Sequence, residues 1–243
     1  MSEATPLIIP DWPAPKSVKA LSTTRLGGVS VAPYASLNLG LHVGDDAQAV
    51  QANRAKLLAH LPAEPMWLNQ VHGIDVCRQY SGVCDADASV STQVNQVCVV
   101  MTADCLPVLF CDEAGTQVAA AHAGWRGLAD GVLEQTLTHF DNPNSVMVWL
   151  GPAIGPDAFE VGQEVKDQFC AWHAECAAFF KPSTHAGKWL ADLYALARFR
   201  FAQAGVTQVY GGDFCTFSDE TRFFSYRRDG VTGRMASCIW LAE

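Results

Sequence analysis

Met101-Thr-Ala-Asp-Cys-Leu-Pro-Val-Leu-Phe110, a turn, and then Ala119-Ala-Ala-His-Ala-Gly-Trp-Arg-Gly-Leu128 form the stretch from which the fold is read. Two apolar runs joined at Glu113–Gly115 predict a pair of neighbouring strands. Each run carries one metal-ligand side chain where the pattern turns polar, Cys105 on the first and His122 on the second. A third such residue, His72, lies upstream in Asn69-Gln70-Val71-His72-Gly73. One cysteine and two histidines, far apart in sequence and each beside a strand and a glycine or turn, are the candidate functional set.

Working outward, Val18–Thr24 has strand character, and residues 1–16 read as a proline-rich extended lead-in. Asp45 or Asp46 can cap a helix whose apolar side is Val50, Leu57, Leu58 and Leu61 and which stops before Pro62. Strands are predicted at Met66–Val71, Ile74–Tyr80, Val97–Met101, Val146–Leu150, Val206–Tyr210 and Met235–Leu241, with Asp85–Ala88 as a turn. Helices are predicted over Gly127–Phe140, Val161–Trp172 and Leu190–Ala204, the last closed by Gly205. The strand-to-strand joins are too short for parallel crossovers, so the sheet should be antiparallel or mixed. With no internal repeat, the pattern favours one mixed α/β domain over residues 1–243.

The 243 residues are 49% hydrophobic and 17% charged, enough to bury a sizeable core. A formal charge of −9 argues against a nucleic-acid partner, whose binders present basic surfaces. The longest uncharged stretches, such as 142–156, are broken by Pro and Gly, so no membrane span is expected. The N-terminal residues lack a basic start and an apolar run, and nine cysteines without paired spacing fit reduced thiols, so a cytoplasmic setting is expected.

Catalytic zinc takes three protein ligands and leaves a position open, whereas structural zinc usually takes four. His72, Cys105 and His122 meet the first count. Bound zinc lowers the pKa of its water from 15.7 to roughly 7. The glycine-flanked start of the helix after His122, with Arg126 beside it, can hold an anion. The same residues allow a second chemistry: Cys105 as thiolate nucleophile and His122 as its general base, oriented by Asp104 or Asn69.

Taken together, Thr24-Arg25-Leu26-Gly27-Gly28-Val29-Ser30, Ser36-Leu37-Asn38-Leu39-Gly40, Asn69-Gln70-Val71-His72-Gly73, Thr102-Ala103-Asp104-Cys105-Leu106-Pro107 and His122-Ala123-Gly124-Trp125-Arg126-Gly127 resemble the laccase-domain, or purine nucleoside phosphorylase, family. Its bacterial members are also called peptidoglycan editing factors and, in older usage, polyphenol oxidases. The resemblance continues through Gly151-Pro152-Ala153-Ile154-Gly155-Pro156 and Phe223–Asp229 to Gly233–Ser237. It implies an α/β fold, a four-layer α/β/β/α sandwich with mixed sheets, similar to the catalytic domain of cytotoxic necrotizing factor. It also implies a metal, usually zinc, on His72, Cys105 and His122, with copper a weaker alternative.

The activities implied are phosphorolysis of adenosine, inosine and methylthioadenosine, and deamination of adenosine. Cell-wall-precursor editing by amide hydrolysis on a muropeptide is the alternative, and a non-enzymatic binding module stands behind both. Multicopper oxidase chemistry needs a blue-copper site plus a further copper cluster, more histidine than the seven in this chain supply. The expected catalytic residues are Cys105, His122, Asp104 and Gln70, and the expected substrate-binding residues Arg25, Asn69, Arg126 and Arg227, with Arg228 a further candidate. The expected partners are small molecules (a purine nucleoside and phosphate), and the expected state is a monomer.

Overall fold

The computed structural model describes residues 6–79 and 82–243. Its framework is a six-stranded sheet in the order Gln208–Gly211, Val146–Leu150, Leu106–Asp112, Val118–Ala123, Ala88–Ser91, Val76–Cys77. The central pairs are antiparallel and the two outermost pairs parallel. A four-stranded antiparallel sheet runs Leu7–Ile8, Val18–Thr23, Met235–Leu241, Cys98–Thr102. A three-stranded sheet and a short parallel pair, Leu68–Asn69 with Cys84–Asp85, complete a mixed α/β architecture with several sheets.

Side-chain alternation explains how the two large sheets are placed. Along Leu106–Asp112, Leu106, Val108 and Phe110 pack with Leu128, Val132, Leu133, Leu137, Leu196 and Phe201 of the helices. The intervening Leu109 and Cys111 pack with Cys98, Val100, Ile239 and Leu241 of the second sheet. On that sheet's other face, Val99, Ala236 and Cys238 meet Leu37, Leu39 and Leu57. Each fully buried Phe or Leu in such a layer contributes about 1.5–3 kcal/mol. None of the described helices is long and apolar enough to cross a membrane.

The Cys98–Thr102, Leu106–Asp112 and Val118–Ala123 strands and the helix Ala47–Leu58, capped by Asp46, agree with the sequence reading. Several expectations are corrected. The two strands expected around His72 shrink to Leu68–Asn69 and Val76–Cys77, because the intervening chain is held by hydrogen bonds to one carboxylate rather than to a sheet; Tyr80 and residues 1–5 lie outside the described residues. Asp85–Ala88 is no turn: Cys84–Asp85 and Ala88–Ser91 are strands, and the latter is wholly buried.

The helix expected at Gly127–Phe140 is two helices, Trp125–Asp130 and Val132–Leu137, broken at Gly131, whose φ of +103° is left-handed. Val161 and Leu190 belong to strands that precede the helices Gln163–Trp172 and Leu193–Gln203. Leu58 is exposed, since Val50 and Leu57 already fill the buried side of its helix.

Candidate metal centre

The three candidate ligands arrive from three different loops or strand ends. Cys105 sits in the tight link between the Cys98–Thr102 and Leu106–Asp112 strands. His122 is near the end of Val118–Ala123, opposite Pro107 in the sheet register. His72 occupies a turn at φ +62°, a left-handed conformation that costs a non-glycine residue roughly 1–3 kcal/mol. Their donor atoms all lie within 4.8 Å of one another, with Cys105 Sγ 4.0 Å from His72 Nε2 and the two imidazole centroids 4.8 Å apart.

Asp87 assembles this arrangement. Its carboxylate is fully buried and accepts hydrogen bonds from the backbone N–H of Val71 (3.1 Å), His72 (3.0 Å) and Gly73 (2.7 Å). These bonds hold the left-handed turn of His72. The same carboxylate lies 2.7 Å from His122 Nδ1, and its backbone carbonyl accepts from the His122 N–H. A carboxylate on Nδ1 fixes the imidazole's tautomer and leaves Nε2 as the free donor atom, as around metal-ligating histidines in general. Burial works against the Asp87 charge, but the His122, Gly73 and Val71 hydrogen bonds outweigh it and hold the carboxyl below its usual value.

The electrostatics favour a ligating thiolate. Burial pushes the Cys105 thiol up, yet the charge on His122 and hydrogen bonds with His122 and His72 bring it down to about 6. Burial pushes His122 down, but the facing Cys105 charge and the Asp87 hydrogen bond carry it up to about 9. A soft thiolate with two imidazoles is a donor set suited to zinc or copper. Three donors this close can reach one ion at bond lengths of about 2.0–2.3 Å with small side-chain shifts.

Gly124 supplies the remaining space: a Cβ there would stand 3.0 Å from His72 Cδ2, 3.1 Å from Cys105 Sγ and 3.6 Å from His122 Cε1. Its backbone is extended, at φ −60° and ψ 157°, so room for the cluster, not conformation, calls for glycine.

The trio opens into a cavity of about 350 Å³, lined also by Gln70, Met101, Thr102, His42, Tyr226 and Arg234. Of the other residues expected from sequence, only Gln70 lines this cavity. Its amide donates to the Met101 carbonyl and accepts from the Met101 N–H, and so fastens the strand edge. Asp104 faces away: its carboxylate accepts from Thr216 Oγ1 (2.6 Å) and from the Arg227 N–H (2.6 Å), and its carbonyl from Ile154. Asn69 is exposed and donates to Asp85.

Arg25 bonds the carbonyls of Ala35 and Glu220 and lies over Phe224. Arg227 bonds the Glu160 carbonyl, Arg228 bonds three carbonyls and Asp229, and the exposed Arg126 lies over Trp125. The sequence reading therefore missed Asp87, His42 and Arg234. Asp87 was hidden in a turn-like Asp-Ala-Asp-Ala, and only the Gly233–Ser237 motif around Arg234 could have pointed to the last.

The family described as multi-copper polyphenol oxidoreductase laccase matches residues 19–242. A Pseudomonas aeruginosa protein named purine nucleoside phosphorylase is 58% identical over 238 residues, covering 97% of this chain and 98% of that protein. The Escherichia coli protein named purine nucleoside phosphorylase YfiH is 58% identical over 242 residues, with the same coverage. Among solved structures, Neisseria meningitidis protein NMB0706 superposes with a TM-score of 0.92 at 55% identity, covering 98% of this chain and 99% of that one. A Bacillus licheniformis hypothetical protein YfiH superposes at 0.90 with 29% identity, covering 99% and 98%.

Proposed function

The chain belongs to the family described as multi-copper polyphenol oxidoreductase laccase, and from that premise we propose that it is a metal-dependent purine nucleoside phosphorylase acting on adenosine, inosine or methylthioadenosine. The observation that carries this reading is the convergence of His72, Cys105 and His122, donor atoms within 4.8 Å, at the end of a cavity of ligand size. The names of the relatives at 58% identity supply the reaction class. In phosphorolysis the bond from ribose C1′ to the purine nitrogen breaks, a phosphate oxygen bonds to C1′, and the purine leaves with a proton.

His72, Cys105 and His122 would hold the metal, and the reading takes it as zinc, whose catalytic sites use three protein ligands and keep a position open for substrate. When bound, the ion supplies positive charge to polarise an oxygen or nitrogen of the reacting group. Asp87 keeps His122 Nε2 and the His72 turn aimed at one point, so little reorganisation accompanies reaction. Adenosine deamination and amide hydrolysis on a muropeptide precursor would use the same cavity. Laccase chemistry does not fit, since the cluster gathers only two of the chain's seven histidines.

A second reading has its own observation. Asp87 lies 2.7 Å from His122 Nδ1, and Cys105 Sγ lies within 4.8 Å of the His122 donor atom, an order of carboxylate, imidazole and thiol that suits a cysteine nucleophile with His122 as its base. The reading further takes residues 1–243 as one domain in four layers, helices outside two sheets, supported by the alternation of each central strand between two cores. Nine free cysteines support a reducing, cytoplasmic setting.

The test is the metal content of the purified protein with adenosine and inosine turnover, with and without phosphate, before and after chelation. One zinc per chain, lost together with phosphate-dependent turnover in Cys105→Ala, is expected. Full activity of metal-free, chelated protein that dies on thiol alkylation would replace the metal reading with the cysteine one.

A further inference from the structure

The cavity beside the metal cluster has a charge character that the cluster does not explain. Among its lining residues there is no aspartate or glutamate, although the chain carries a formal charge of −9. It does contain one guanidinium, that of Arg234. Five other guanidinium groups have settled partners: Arg200 pairs with Glu134, Arg222 with Asp219, Arg228 with Asp229, and Arg25 and Arg227 with backbone carbonyls.

Arg234 has no carboxylate at ion-pair distance among the described residues. Its Nη1 donates to the carbonyls of Thr232 (3.1 Å) and Gly233 (3.0 Å), while Nε and Nη2 make no hydrogen bond within the described chain. A half-buried cation with two unspent donor groups, in a cavity lined by no carboxylate and with the charges of Cys105 and Asp104 as its main electrostatic neighbours, is suited to receive an oxyanion.

The surrounding chain is built to place this group. The Arg234 N–H donates to Asn38 Oδ1, the Arg234 carbonyl accepts from the Leu39 N–H, and Asn38 is itself fully buried. Gly40 leaves room for the stem: a Cβ there would stand 2.9 Å from Arg234 Cγ and 3.4 Å from His42 Cε1. The guanidinium lies 5.9 Å from the centre of the Tyr226 ring. His42, kept below its usual pKa by burial and by the charges of Arg234 and Arg54, adds a neutral imidazole to the same wall.

We propose that Arg234, with His42 and Tyr226 beside it, forms an anion subsite that binds a phosphate group next to the metal cluster. The proposal rests on the phosphorylase reading, in which the occupant is inorganic phosphate. The same chemistry would hold the phosphoryl group of a nucleoside monophosphate. Arg234 is then a substrate-binding residue, and none of the arginines expected from sequence has this role.

The experiment is steady-state kinetics of the metal-loaded protein, varying inorganic phosphate at saturating inosine and the reverse, for wild type, Arg234→Ala and Arg234→Lys. It is paired with binding of inorganic phosphate followed by phosphorus NMR line broadening. Arg234→Ala should raise the phosphate KM about tenfold or more, the effect of losing charge-assisted hydrogen bonds. The inosine KM should move less than about threefold and metal content should stay unchanged. Arg234→Lys, which keeps charge but not the fork, should fall between, and it stands in if the alanine variant does not fold.

If inosine 5′-monophosphate, not free phosphate, loses affinity in the variants, the anion site stands and its occupant is a phosphoryl group. Should wild type show no phosphate-dependent turnover, the phosphorylase reading fails, and the NMR arm still decides the subsite. Equal binding of both free phosphate and inosine 5′-monophosphate by wild type and Arg234→Ala overturns the proposal.

Discussion

Asp87 and Asp104 are both buried carboxylates near the same three candidate ligands, yet they serve different structures. Asp104 adjoins Cys105 in sequence but turns away, tying its own loop, at φ +90°, to Thr216 and the start of the Tyr226–Asp229 helix. Asp87 is far from every ligand in sequence, and it binds His122 Nδ1 and three consecutive N–H groups around His72. One aspartate orients the candidate metal donors; the other fastens the frame behind them. Adjacency in the chain is therefore a poor guide to which carboxylate tunes a ligand, because the left-handed turn at Asp104 sends its side chain to Thr216 and the Arg227 N–H while Cys105 lines the cavity.

The strongest test of that contrast is Asp87→Asn. It leaves a neutral amide where a charge accepted four hydrogen bonds, so metal affinity should fall by about 10–100-fold. Stability should fall by about 3–5 kcal/mol, the cost of breaking a buried ion pair, as read by urea denaturation. If metal content is unchanged, Asp87 does not orient the ligands. Next comes Gly124→Ala, whose added carbon would crowd both His72 and Cys105. Metal stoichiometry by elemental analysis should drop well below one per chain while the far-ultraviolet circular dichroism stays native, since the extended backbone accepts alanine.

Asp104→Asn should give the mirror result of Asp87→Asn. The expected loss is about 1–3 kcal/mol of stability from the disturbed Thr216 and Arg227 bonds, with metal content close to one. Loss of metal equal to that of Asp87→Asn would erase the distinction between the two carboxylates. The smallest effect is expected far from both, at the helix cap: Asp46→Ala should cost about 0.5–2 kcal/mol and leave turnover unchanged.

The parts legible in sequence were those written in short-range pattern. Alternating apolar residues marked Leu106–Asp112 and Val118–Ala123, Asp46 marked a helix start, and Cys105, His122 and His72 stood out as soft donors beside glycines and turns. The split at Gly131 was harder, because one left-handed glycine interrupts an apolar pattern that runs on through both helices. The arginines misled for a related reason: a guanidinium beside a glycine resembles an anion ligand until the tertiary structure supplies carbonyls for it, as it does for Arg25.

Sequence alone thus determined the central strands, much of the helical content and the three candidate donors, since backbone preference, hydrophobic period and donor chemistry are local properties of residues. Only the tertiary structure decided that Asp87, 35 residues before His122, would hold it. Only the tertiary structure, likewise, bound the Arg234 backbone to Asn38, 196 residues away, and left its guanidinium at the cavity with no carboxylate partner among the described residues. Such partners are chosen by which buried charge finds compensation once the layers have closed, and that choice leaves no periodic trace in the chain.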